Sequence, residues 1–137
     1  MPERVKGKCI WVLDRNAYWR NLISNALKKE GATVVSLSKY DVYLRKSKST
    51  QARPDMAILS CLRLQNSELE VLNQTDLPVL VLAGSFSLGE MREFFRSGFL
   101  DIELRPELPD DLINAVSSHL AAMEQKKKYQ SVYAQVP

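Results

Sequence analysis

The chain of 137 residues carries one histidine, two cysteines and no apolar run long enough to cross a bilayer. Each scarcity removes a class of function. Cys9 and Cys61 fall in or beside apolar runs rather than at the spacings of a disulfide framework or a zinc site, so both read as small packed thiols, and the spacings of the metal-ligating residue types suggest no metal centre. His119 stands beside the apolar stripe of a helical pattern, which favours a structural role over phosphotransfer. Charge of one sign is also in short supply: 19 basic against 16 acidic residues leave a net charge of +3, too little to argue for a nucleic-acid or membrane surface. The opening MPERVKGKCIWVL runs into Asp-Arg-Asn and not into a small-residue cleavage site, so a cytoplasmic location is expected.

What is present is a hydrophobic content of 45%, enough for the core of one domain. Three short apolar runs, Cys9–Leu13, Met56–Leu59 and Val79–Leu82, are too brief for helices and read as central strands covered on both faces. Two mixed segments, the stretch from Thr33 and Asp101–Leu104, read as edge strands. Helical spacing separates them. Trp19, Leu22, Ile23, Ala26 and Leu27 mark the first helix, with Asn16 as N-cap and Gly31 as its stop. Ser38 with Asp41 opens a second and Ser67 caps a short third. Leu88, Met91, Phe94 and Phe95 mark a fourth, and Leu112, Val116, Leu120 and Met123 a long fifth after Pro109. Strictly alternating strands and helices predict an α/β fold: a five-stranded parallel sheet of order 2-1-3-4-5 between helical layers, the flavodoxin-like arrangement, with its ligand crevice beyond the carboxyl ends of strands one and three. Ser60 falls at that crevice.

PDMAILS, LPVLVLAG and GFLDIELRP then stand, in order, where the third, fourth and fifth strands of a known family have their signatures. From Lys8 to about Met123 the chain resembles the receiver domain of two-component signalling. The resemblance implies a phosphoryl-accepting aspartate at the end of the third strand, where this chain has Ser60, and two acids that hold magnesium, where it has Leu13 and Asp14. It also implies a Thr or Ser at Ala83 and a lysine at Arg105, before a proline whose peptide bond is cis in many relatives.

These departures carry their own chemistry. Magnesium prefers a set of carboxylate oxygens, and a serine needs a positioned base before it can act as a nucleophile. The expected function is therefore a degenerate receiver, non-enzymatic, without metal or cofactor, in which Arg105 pairs directly with Asp14. An exposed pair of this kind is worth roughly 0.2–1 kcal/mol. The ordinary reading of Ser60, a hydroxyl bonding the following loop, is preferred over phosphorylation or catalysis. Asp14 is divided evenly between a site role and a favourable charge at a helix N-terminus.

The resemblance places an interaction face on the fourth helix, fifth strand and fifth helix, with Arg92, Arg96, Glu103 and Asp111 as exposed candidates. The expected partners are other signalling domains (a kinase, PAS or output domain) or a second copy. Residues 1–123 form the domain, and 124–137 a helical tail. In that tail KYQSVYAQVP resembles the lead-in to a PAS sensory domain, which implies a module of a larger sensor kinase, cyclase or regulator. A flavodoxin-like ligand or nucleotide binder is the alternative, weakened because DRNAYW lacks phosphate-wrapping glycines. Nucleic-acid binding ranks third, since Lys28-Lys29, Arg45-Lys46 and Lys126–Lys128 belong to separate elements.

Overall fold

The computed structural model describes residues 5–49, 52–90, 92 and 101–134. Five strands, β1 (Cys9–Leu13), β2 (Thr33–Leu37), β3 (Met56–Arg63), β4 (Val79–Ser85) and β5 (Asp101–Leu104), form one parallel sheet of order β2-β1-β3-β4-β5. The helices are α1 (Ala17–Lys29), α2 (Tyr40–Ser47), α3 (Asn66–Asn73) and the long α4 (Pro109–Ala134).

Period-two alternation in the three central strands builds two cores. Ile10, Val12, Ile58, Leu80 and Leu82 meet Ile23 and Leu27 of α1 and Leu112, Val116 and Leu120 of α4. The intervening residues Trp11, Leu13, Leu59, Val81 and Ala83 meet Tyr43 of α2 and Leu69, Val71 and Leu72 of α3 on the other face. Both faces are covered along residues 9–13, 56–59 and 79–83, so those stretches are apolar throughout, and each Leu, Ile or Val buried in full stabilises by about 1.5–3 kcal/mol. β2 and β5 keep exposed or half-buried positions, as edge strands do.

Helix ends follow local chemistry. Asn16 Oδ1 accepts the Trp19 N–H at 3.0 Å, and Gly31 leaves α1 at φ +92°, a conformation that costs glycine little. Two expected caps are corrected. The residue preceding α2 is Lys39, with no side-chain cap, and α3 starts at Asn66, so Gln65 rather than Ser67 stands at its cap. Glu68 explains the shift, because its Oε1 accepts the Gln65 N–H at 2.9 Å and ties the helix start one turn back. Of the fourth helical pattern, Leu88–Glu90 and Arg92 are helical, and its marks Met91, Phe94 and Phe95, like Arg96, lie outside the described residues.

The central strands also run further than their apolar runs. β1 ends at the Leu13–Leu59 register and β5 at Ala83–Leu104, yet β3 and β4 stay paired to Arg63–Ser85. Ser60 is therefore inside the strand and not at its tip. The pair rises past its neighbours as a two-stranded ribbon, and a Cβ on Gly84 would stand 2.6 Å from the Leu62 carbonyl oxygen, closer than atoms tolerate.

Candidate functional site

The carboxyl ends of β1, β3, β4 and β5 bring Leu13, Asp14, Ser60, Ala83 and Arg105 to one rim of the sheet. Arg105 follows β5, its N–H donating to the Ala83 carbonyl at 2.8 Å, and its guanidinium turns inward. Nη1 lies 3.8 Å from Asp14 Oδ2 and 3.4 Å from Ser60 Oγ. Trp19, on the first turns of α1, covers the guanidinium with its ring centroid 3.9 Å from Cζ.

The expected ion pair is present, but the surface-pair energy does not describe it. The side chains of Arg105 and Asp14 are only 6% and 4% exposed, so desolvation offsets much of the attraction, while loss of one partner strands the other. No peptide bond among the described residues is cis, the Arg105–Pro106 bond included. The direction of Arg105 is set instead by its strand-end hydrogen bond and the indole above it.

Among the described acids at the rim, Asp14 has one oxygen that accepts no hydrogen bond. Oδ1 accepts the Asn16 N–H at 2.8 Å, whereas Oδ2 is buried without a hydrogen bond. Leu13 points into the core, Ala83 offers a methyl, and the Ser60 hydroxyl faces a cation. That donor set does not fit magnesium, which needs several oxygen ligands in near-octahedral array. Among the described residues no group of three or more His, Cys, Asp or Glu side chains is placed to hold a metal ion.

A second buried carboxylate, missed in the sequence, borders the same cleft of about 280 Å³. Glu68, 3% exposed, accepts from Tyr40 Oη at 2.7 Å, Ser67 Oγ at 2.8 Å and Arg15 Nη2 at 3.0 Å, and Arg15 stacks 4.2 Å over the Tyr40 ring. Burial, and then its bond to Glu68, push the Tyr40 hydroxyl pKa up. Gln65 and Glu68 at capping-box spacing were the legible signal for this cluster. Cys61 lines the cleft as a buried thiol whose pKa burial pushes up to about 12, which leaves it neutral and unreactive.

Of the interaction-face candidates, Arg92 and Asp111 are exposed. Glu103 is half-buried and bound to His119, whose Nε2 lies 2.7 Å from Glu103 Oε2 and 3.6 Å from Asp101 Oδ2. The histidine thus joins α4 to the edge strand, in the structural role expected of it.

The fold defined by this sheet order and these covering helices is the flavodoxin-like α/β fold of receiver domains, and solved structures of that class superpose on the chain. NtrX from Brucella abortus, in a complex with ADP, matches at 22% identity and TM-score 0.76, over 91% of this chain and 30% of its own. The chain thus spans less than a third of NtrX. The chemotaxis response regulator CheY4 of Vibrio cholerae matches at 18% and 0.67, over 82% of this chain and 98% of its own. A BeF3-activated DrrB receiver domain gives 18% and 0.67, over 83% and 97%. No family profile and no curated protein matches the sequence.

Proposed function

We propose that the chain is a receiver-like, non-enzymatic module of two-component signalling in which an internal ion pair has replaced phosphoryl chemistry. The observation that carries this reading is the Arg105 guanidinium between Asp14 and Ser60, under Trp19. A phosphoryl group arriving there meets a hydroxyl with Asp14 as candidate base, Glu68 across the cleft being already saturated with hydrogen bonds. It finds no hydroxyl at Ala83 to bind it afterwards and, among the described residues, no cluster of acids to hold a metal ion that would neutralise it. Signalling then proceeds by protein–protein contact or dimerisation on the face of Arg92, Arg96, Glu103 and Asp111, with a kinase, PAS or output domain as partner. We assign residues 1–123 to the domain and 124–137 to the connection leading onward, with the whole in the cytoplasm. α4 runs unbroken across that boundary, and none of the described helices is long and apolar enough to cross a membrane.

The ligand-binding alternative gains no support from the first loop. Asn16 caps α1 with its own side chain, and buried Asp14 places negative charge where a nucleotide phosphate would sit. The test is incubation with acetyl phosphate and magnesium followed by intact-mass measurement, with a receiver domain that has its aspartate as positive control. An unchanged mass is expected; stoichiometric addition of one phosphoryl group overturns the reading.

A further inference from the structure

At the opposite end of the sheet from Arg105, another buried polar atom lacks a hydrogen bond. Ser117 on α4 is 8% exposed, and its Oγ has no hydrogen bond. It lines a groove of about 380 Å³ between α4 and the segment entering β1, together with Lys8, Ser118, Leu120, Ala121 and Glu124. Ser117, Leu120, Ala121 and Glu124 follow helical spacing, so one face of α4 forms a wall and Lys8 stands across from it. Lys8 Nζ donates to Glu124 Oε1 at 2.9 Å; that bond raises its pKa and keeps the ammonium charged.

The surroundings are basic through topology. Nucleic-acid binding ranked low in the sequence because the lysine clusters fall in separate elements, but α1 and α4 pack side by side and bring two of them to one end. Gly7 N–H donates to Gly31 O at 3.0 Å, and the Lys6 side chain lies against Gly31, next to exposed Lys28 and Lys29 at the end of α1. Exposed Lys128 follows Glu124 by one turn on the same side of α4. The helix dipole accounts for Lys28 and Lys29, which close α1. It does not account for Lys126 and Lys128, because α4 continues to Ala134 and its last turn has no basic residue.

We propose that this groove binds a small phosphate-bearing anion, such as a phosphomonoester. Lys8 supplies a charged donor, the orphaned Ser117 hydroxyl a buried one, and Ser118 a third at the mouth; Leu120 and Ala121 offer apolar surface to the rest of the ligand. Lysines suit this chemistry, acting as point charges on a phosphate without a required planar geometry. Glu124, with its side chain 57% exposed, holds Lys8 when no ligand is bound and competes with the anion for it.

The test is titration of the full chain, labelled with nitrogen-15, with inorganic phosphate at constant ionic strength. Saturable shifts are expected at the amides of Lys8, Ser117, Ser118 and Glu124. Lys8→Gln and Ser117→Ala each weaken binding about tenfold, whereas Glu124→Gln tightens it by removing the competitor. A thermal melt of each variant separates lost binding from lost folding, and the wild-type titration decides the matter if a variant fails to fold. Shifts that do not saturate, that acetate reproduces equally, or that centre on Arg105 and Ser60 overturn the proposal. So does full retention of binding in Ser117→Ala, the outcome expected if that hydroxyl merely rotates to a carbonyl of its own helix.

Discussion

Asp14 and Glu68 are both carboxylates buried at the carboxyl end of the sheet, and the protein treats them differently. Glu68 is saturated: one oxygen takes a backbone N–H, the other Tyr40, Ser67 and Arg15, so the acid clamps α3 to α2 and to the loop after β1. Asp14 has one such bond, and its other oxygen faces only a cation at 3.8 Å, beyond hydrogen-bond reach. The difference separates a carboxylate built into the architecture from one that the architecture tolerates. Charge alone does not distinguish them; the number of directed donors does.

The largest expected effect comes from taking the cation away from the poorly served acid. Arg105→Met should lower the unfolding free energy in urea by about 3 kcal/mol, because Asp14 then stays largely buried with no counter-charge. In an Asp14→Asn background the same change should cost much less, and equal costs in both backgrounds would show that the pair is not coupled.

The contrast itself is tested next. Glu68→Gln should cost about 2 kcal/mol, since a carboxylate serving three side chains and one amide becomes neutral and partly a donor. Asp14→Asn alone should cost about 1 kcal/mol, because Arg105 retains Trp19 and Ser60 and has a stem long enough to reach water. Denaturant midpoints that reverse this order remove the distinction drawn above.

The alkaline effect is the smallest just above pH 9, where it only begins, and it grows with pH. Cys61 has a folded pKa raised to about 12 from 9.0, so between those values the unfolded thiol ionises first and stability falls as pH rises. Tyr43, also raised to about 12 by burial, acts in the same direction from 10.0 upward. Cys61→Ala should make the decline with pH shallower above pH 9 without abolishing it. A slope identical to that of the wild type would mean that the thiol is more accessible than its burial implies.

How much of this was legible beforehand depended on range. The runs CIWVL, MAIL and VLVL announce covered strands because burial on both faces is written into consecutive residues. Asn16 and Gly31 announce a helix's ends because caps are local chemistry. Strand order alone points only to the crevice and to Ser60; Leu13, Asp14, Ala83 and Arg105 are legible there only through the resemblance to receiver domains. The cover over Arg105 is not legible, because Trp19 fits an amphipathic pattern equally well and only the inward reach of the Arg105 side chain across the rim gives it a second use. The rise of β3 to Arg63 was hidden for a similar reason: CLR is broken by polarity, and its pairing depends on a distant glycine that leaves room for Leu62. Glu68 resembled an ordinary helical acid until Tyr40 and Arg15 were brought to it.

The 26 residues of α4 give the domain a mechanical property that its small body would otherwise lack. A rod of that length spans about 39 Å at 1.5 Å per residue, and it starts four residues after Arg105. Tilting it by about 5° at Pro109 would sweep the far end through about 3 Å, so a displacement at the rim too small to disturb the sheet arrives at Ala134 as a lateral step the width of an atom.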